Sequence, residues 1–446
     1  MRLPRRAFFL CVVAGVTFVL AAAVAIGKDA SSGVTDRHET LSGAAATAYD
    51  YDLSWSPARR LLRGTGVVTV RNLGPVPLGY FWLYLRANGG GGYARVADVA
   101  GAKIGPPRAG GAMQRLDIGA PLAPGDSVVV RFRFALRVPL DDTSLGRNGG
   151  VDLFGDALPV VAAAGRGGLR IGAEPEWGEG MLGPVADWRV HVRVPRGLDV
   201  TLPGPVEHRR SRSFENFSTV LDVRDVAFAV GRLRTRSASV LGVRVRVAAA
   251  SPMSASLAPA LRRAVHSFRS MQRLYGGYEL NQLDVIVVPL SFGGSEYPGI
   301  VFSAPDLATI SHEVAHQWFY GIVGNDQFRE PWLDESITSF HEQRFSHFYE
   351  CDIKDPLDGA PRGLKQTMAY WDRHPDRYQD TIYRGGACAL MRLEHDIGRR
   401  AMHRVLQRYV RENQQGIAST DAFISALRTE APGRKSEAWL RLVGLN

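Results

Sequence analysis

The sequence predicts a multidomain protein, with an N-terminal all-β domain of sandwich or saddle-like form followed by a mainly α domain. Three observations carry this. From Tyr49 to about Arg236 apolar and polar residues alternate, as in Val128-Val129-Val130-Arg131-Phe132-Arg133-Phe134, Val190-His191-Val192-Arg193-Val194 and Val226-Ala227-Phe228-Ala229-Val230. Side chains two apart share a strand face, so each run buries one side of a sheet. Gly and Pro cluster between the runs, as at Pro121-Leu122-Ala123-Pro124-Gly125, and many short strands with such turns indicate packed sheets. After one more strand at Val243 to Val247 the period changes. Leu257, Leu261, Val265 and Phe268 recur at helical spacing between Ser256 and Tyr275, and from Leu307 onward most segments read as helices. A chain of 446 residues is too long for one ordinary domain, and 45% hydrophobic with 22% charged residues supplies a sizeable core.

At the amino terminus Arg2, Arg5 and Arg6 precede an uncharged run from Ala7 to Gly27, ended by Lys28. As a helix this run spans about 30 Å, the thickness of a bilayer core. It is longer than the apolar core of most signal peptides, yet Ala23-Val24-Ala25 offers a cleavage site. A buried soluble helix is the third reading; the two leading ones, a retained anchor and a cleaved signal, both keep the arginines cytoplasmic and place the remainder outside. Residues 1–28 are therefore expected to be cytoplasmic arginines plus a membrane anchor or signal segment. Residues 29–46, rich in Ser, Gly, Ala and Thr, read as a flexible linker, 47–236 as the β-rich domain and 237–446 as the second domain.

The formal net charge of +10 is almost all arginine, scattered along the chain. The densest group, Arg209, Arg210 and Arg212, is short. With no basic stripe and no recognised module, a nucleic-acid partner is excluded. The charge reads as a solvated surface, with attraction to an anionic membrane as the modest alternative. Of the three cysteines, Cys11 lies in the apolar run. Cys351 and Cys388 form no CxxC pair, which excludes a cysteine zinc site. One extracytoplasmic disulfide or two buried thiols both fit. Asn216-Phe217-Ser218 matches a glycosylation sequon.

The chemistry is concentrated in Ser311-His312-Glu313-Val314-Ala315-His316-Gln317-Trp318. On a helix, residues four apart face the same way, so His312 and His316 can grip one cation, and neutral imidazole suits zinc. Glu313 lies about 100° around the helix, within reach of a metal-bound water as general base. A catalytic zinc takes three protein ligands and one open position. The third ligand is on offer at Glu335 in Pro331-Trp332-Leu333-Asp334-Glu335-Ser336, with Asp334 placed to cap the next helix. Upstream, Asp284 to Val288 is a short apolar strand and Ser291 to Gly299 a glycine-rich turn. His341 and His347 are six apart, poor spacing for one face, and read as ordinary residues.

These motifs resemble those of the gluzincin peptidases, and the wider context narrows the resemblance to the aminopeptidase N-like family. His316-Gln317-Trp318-Phe319 and Trp332-Leu333-Asp334-Glu335 look like its zinc motifs, Gly293-Gly294-Ser295-Glu296-Tyr297-Pro298-Gly299 its substrate-amine motif, and Tyr383-Arg384-Gly385-Gly386 its tyrosine motif. All four occur in family order. The resemblance implies that the second domain is a thermolysin-like, gluzincin catalytic domain. It implies one Zn2+ on His312, His316 and Glu335, with Glu313 as base. Glu296 would hold the substrate's free amine, Tyr383 would donate to the oxyanion, and Gly293 and Gly294 would let the substrate backbone lie close. It implies a zinc aminopeptidase acting on peptides with a free amino terminus. The alternatives are a zinc endopeptidase or hydrolase without free-amine dependence, and a membrane-anchored binding protein without turnover. Three positions depart from the family: Ser295 where methionine is frequent, Ser336 where glycine is usual, and Gly385 where lysine is common. Too little chain follows His316 for the large C-terminal helical domain of many relatives, so a short form with an open site is expected.

Overall fold

The computed structural model describes residues 43–89, 93–140, 143–165, 167–172, 174–180, 182–359 and 363–445. Two-residue periodicity builds the first half. In the strand Ser127–Arg137, Val130, Phe132, Phe134 and Leu136 point inward while Arg131 and Arg133 are exposed. This strand belongs to a seven-stranded sheet. Its spatial order is Val206–Arg210, Phe214–Val223, Ala186–Pro195, Ala44–Ser56, Leu61–Asn72, Ser127–Arg137 and Ala94–Ala100. Only the pairing of Ala44–Ser56 with Ala186–Pro195 is parallel. A four-stranded sheet, in the order Val160–Val161, Leu78–Tyr84, Met113–Leu122 and Lys103–Arg108, shares one core with it. Tyr49 stacks on Trp188 there, with centroids 4.0 Å apart, and Tyr51, Phe132, Phe81 and Leu116 fill the space between the sheets.

A smaller sheet containing Val151–Phe154 and Phe228–Gly231 joins the halves, and every residue of these two strands is buried. Phe154, Phe228 and Val230 pack into the first core, whereas Val151, Leu153 and Ala229 pack against Ile286, Ile300 and Phe302 of the second half. Alternation along a strand gives it two faces, and here each face serves a different core.

The second half opens with a five-stranded sheet in the order Leu233–Val240, Val243–Ala250, Gln282–Val287, Ile300–Ser303 and Gly294–Tyr297. Helix α1 (Leu257–Tyr275) buries Leu257, Ala260, Ala264, Phe268 and Met271, a stripe at helical spacing. Helices α2 (Leu307–Ala315) and α3 (Pro331–Ser346) follow. Beyond them Gly386–Ile397, Arg399–Glu412, Thr420–Glu430 and Arg434–Leu442 surround a core of Trp318, Trp332, Phe340, Leu390, Phe423 and Trp439.

Several details differ from the expectation. Ala44–Ala46, expected in the linker, pair with Val70–Asn72 and are buried. The strand Leu233–Val240 already belongs to the second sheet, so the change of partner precedes residue 236. Gly294–Tyr297, expected as part of a turn, is the edge strand of that sheet, because Gly294 to Tyr297 pair antiparallel with Ile300 to Ser303 across a turn at Gly299, φ +79°. Cys351 and Cys388 form a disulfide, Cα–Cα 5.2 Å, tying the segment after α3 to the helix Gly386–Ile397. The apolar run at 7–27 lies outside the described residues. Among the described residues no helix is long and apolar enough to cross a membrane.

Candidate metal centre

Helix α2 is started by Asp306, whose Oδ1 accepts from the amides of Ala308 and Thr309, both at 2.9 Å. His312 sits on its last turn and His316 at its C-cap. Pro331 occupies the first turn of α3, where its missing N–H costs nothing. Asp334 does not cap this helix, as the sequence suggested. It lies inside α3, next to Glu335, and faces α2.

The three expected ligands converge. His312 Nε2 is 3.0 Å from His316 Nε2 and 3.2 Å from Glu335 Oε2, and His316 Nε2 is 3.5 Å from the same oxygen. Donors about 2.0–2.1 Å from a tetrahedral zinc stand about 3.3 Å apart, which fits. The outer nitrogens face acceptors that would keep their protons when both Nε2 atoms bind a metal. His316 Nδ1–H donates to the Phe319 carbonyl oxygen at 2.9 Å, with Asp334 Oδ1 also 2.9 Å from that nitrogen, and His312 Nδ1 lies 3.4 Å from Glu342 Oε2. With the protons on Nδ1, two bare Nε2 lone pairs and a carboxylate oxygen crowd one point, and a cation there turns repulsion into coordination. Burial alone would lower His312, but hydrogen bonds to Glu335 and Glu342 outweigh it and raise it to about 10. Burial opposes the charge of Glu335, and the two imidazoles overcome that and hold its carboxyl well below the usual range. The cluster is thus electrostatically built for positive charge at its centre.

Glu313 is buried, burial pushes its carboxyl up, and its Oε2 has no partner in the structure. A Cβ on Gly294 would lie 2.4 Å from Glu313 Oε1 and 2.7 Å from its Cγ, so the bare backbone of the edge strand makes room for Glu313. Gly293 has φ +108°, a conformation that favours glycine. Glu296, on the same strand, is buried and hydrogen-bonded to Glu179 of the first half. Burial pushes both carboxyls up; the neighbouring Glu296 adds to this at Glu179, while Asp334 and Glu335 add to it at Glu296, where the hydrogen bond with Glu179 works the other way. Gln327 Nε2 donates towards Asp334 Oδ2 (2.6 Å), Glu296 Oε1 (3.4 Å) and Glu179.

Tyr383 lies in a π-helical turn, Gln379–Gly385, with its ring stacked on His312 at 5.7 Å. Its hydroxyl bonds Glu335. Such turns frequently mark functional sites. Ser336, one of the departures from the family pattern, donates to the Ile382 carbonyl at 2.6 Å, and a Cβ on Gly386 would meet its Oγ at 2.1 Å. The serine thus holds the residue beside Tyr383, in space that Gly386 leaves open. His341 is a buried core residue, its Nε2 2.9 Å from Tyr275 Oη. His347 is exposed at the left-handed end of α3. The cleft lined by Glu296, His312, Glu313, His316, Glu335 and Tyr383 encloses about 740 Å³.

Sequence reasoning missed Glu179, Glu342 and the Asp334–His316 contact. Glu342 lies seven residues after Glu335, two helical turns along the same face of α3, and that spacing was a readable signal. Glu179 had none, because only the fold brings it to Glu296.

Residues 260–439 match the Peptidase family M1 domain. Aminopeptidase B of Rattus norvegicus is 26% identical over 263 residues, covering 52% of this chain and 40% of that protein. Tricorn protease-interacting factor F2 of Thermoplasma volcanium is 29% identical over 158 residues, covering 30% of this chain and 20% of that protein. The chain therefore spans less than half the length of these curated relatives. The M1 zinc metallopeptidase of Deinococcus radiodurans shares the fold, with a TM-score of 0.70 at 20% identity over 91% of this chain and 94% of that one. Over the segment 260–439 the chain is thus similar to peptidase family M1, the family of the aminopeptidase N-like gluzincins, and zinc is the cofactor that this similarity indicates.

Proposed function

We propose that the chain is a zinc aminopeptidase that removes the first residue from peptides with a free amino terminus. His312, His316 and Glu335 would hold the metal. The observation that carries the reading is the carboxylate pair of half-buried Glu179 and buried Glu296 beside that cluster. One Gln327 side-chain amide serves three carboxylates, which leaves the pair short of donors. A substrate ammonium brings a charge and three N–H groups to it. Registering the amine there makes the first peptide bond the one presented for cleavage.

When bound, zinc supplies a Lewis acid that polarises the scissile carbonyl and lowers the pKa of water. Glu313, with an unpartnered oxygen and a raised carboxyl, takes the proton of the attacking water and hands it to the departing amine. Tyr383 donates its hydroxyl to the developing oxyanion. Asp334 and Glu342 keep the imidazoles oriented through their Nδ1 atoms. We further propose that the catalytic half works outside the cytoplasm. The arginine-flanked apolar run and the Cys351–Cys388 disulfide support this placement.

The test is turnover of one peptide with a free and an acetylated amino terminus by the zinc-loaded protein. Cleavage of the free form alone is expected, and Glu296→Gln should lower kcat/KM on it by about 10–100-fold, the worth of a hydrogen bond to a charged group. Equal cleavage of both forms would replace this reading with an endopeptidase or general hydrolase. Zinc bound without cleavage of either would favour a binding role.

A further inference from the structure

We propose that Tyr349 is a positioning residue for the metal centre, and that the Cys351–Cys388 disulfide holds it in place. The inference rests on the metal site described above. It starts from a chain of contacts: the Tyr349 hydroxyl donates to Glu342 Oε2 at 2.9 Å, and that same oxygen lies 3.4 Å from His312 Nδ1. One hydroxyl thus sits directly behind the carboxylate that orients one of the metal-binding imidazoles.

The backbone around Tyr349 has no regular structure of its own. Helix α3 ends at His347 in a left-handed conformation, φ +52°, and Phe348, Tyr349 and Glu350 follow as loop. Two devices fix that loop. The buried Gln343 accepts from the Tyr349 amide at 2.6 Å and donates to the Tyr349 carbonyl at 3.0 Å, like one rung of a sheet ladder. Two residues on, Cys351 is bonded to Cys388 of the helix Gly386–Ile397, and Arg392 of that helix donates to the Ile353 carbonyl at 2.7 Å. The helix continues directly from the π-helical turn that carries Tyr383. The covalent link therefore ties the support of His312 to the element that presents Tyr383. A loop with such tethers at both sides of one tyrosine loses little entropy when its hydroxyl engages Glu342, so the bond stays made. Carboxylates and their supporting groups behind a metal-binding imidazole are typically worth about 10–100-fold in metal affinity.

The test is the rate of zinc release from the intact holoprotein to a chromogenic chelator, measured for the wild type, Tyr349→Phe, Cys351→Ser with Cys388→Ser, and all three changes together. Tyr349→Phe keeps the ring and removes only the hydroxyl. It is expected to speed release by about tenfold. The double serine variant should speed it by a smaller factor. The triple variant should release zinc no faster than Tyr349→Phe, because the disulfide acts through the hydroxyl already removed. Release from Tyr349→Phe within twofold of wild type overturns the role of Tyr349. Multiplying effects in the triple variant overturn the link to the disulfide. If the serine variant does not fold, phosphine reduction of the holoprotein in the wild-type and Tyr349→Phe backgrounds gives the same comparison. A wild type that holds zinc but cuts no peptide would fail the aminopeptidase reading and leave this test intact.

Discussion

Replacing Gly294 by alanine tests whether the edge strand makes room for Glu313, the proposed base. The new Cβ would stand 2.4 Å from Glu313 Oε1, 2.5 Å from its Cδ and 2.7 Å from its Cγ. Ordinary carbon contacts begin near 3.4 Å, so the Glu313 side chain must retreat by roughly 0.7–1 Å. A misplacement of about 1 Å at a reacting group costs about 100-fold in rate, equivalent to about 2.7 kcal/mol of barrier. None of the three ligands is touched, so zinc content should be unchanged. The backbone at Gly294 is extended and paired with Ser303, so stability should change little. Gly293→Ala is the contrasting control. Its Cβ would meet only Thr309 Cγ2, at 3.8 Å, but φ is +108°, so it should cost about 1–3 kcal/mol of stability through backbone strain and much less of kcat. The assay is kcat on a free-amine peptide beside the metal-to-protein ratio and the melting temperature. A fully zinc-loaded Gly294→Ala protein with kcat within threefold of wild type would refute the reasoning.

Two further outcomes follow from the same geometry. Glu335→Ala should abolish stoichiometric zinc binding after dialysis, since it removes one of three donors and leaves two imidazole lone pairs 3.0 Å apart; full zinc and full rate in that variant would sink the ligand assignment. His341 is buried, and burial, with Arg344 and His403 adding to it, lowers its pKa to about 3. A folded-state pKa below the unfolded value of about 6.5 means that protonation favours unfolding. Its contribution to stability is whole above about pH 6.5 and should fall by up to about 1.4 kcal/mol per pH unit on acidification towards pH 3. His341→Gln should flatten the decline of melting temperature between pH 6.5 and 4, and parallel curves for the two proteins would contradict this.

How much of this could be read from sequence depended on the range of the interaction. The strand at Ser127–Arg137 and helix α1 announce themselves because a buried face repeats at the period of the element. His312, Glu313 and His316 were legible for the same reason, since one helical turn sets their relation. Glu335 needed a second helix to cross the first, which spacing alone suggests and packing fixes. Gly294–Tyr297 read as a turn because glycine is a turn former in isolation, and only pairing with Ile300–Ser303 makes it a strand. Asp334 read as a cap because it precedes a helical run, but Pro331 starts the helix three residues earlier and turns that carboxylate towards His316. The disulfide stayed open because two cysteines carry no record of their distance.

The first half of the chain is more than a support for the second, because both ends of the proposed site run through it. Glu179 supplies half of the carboxylate pair proposed to take the substrate amine. At the metal end, the loop after His316 contains Tyr320 with φ +132°, strained for a residue with a side chain. Its hydroxyl reaches Asp225 at 3.4 Å, and Asp225 is paired with the buried Arg86 at 3.0 Å. The neighbouring Arg224, also buried, donates to the carbonyls of Gly321 at 3.2 Å and Ile322 at 3.3 Å. Two consecutive residues of the first half therefore grip three consecutive residues of this loop, and together they offset the strain at Tyr320. Phe319, immediately before, gives its carbonyl oxygen to His316 Nδ1. A backbone held this way from outside cannot relax away from His316, so the orientation of this proposed metal ligand depends on a hydrogen-bonded junction between two differently built halves.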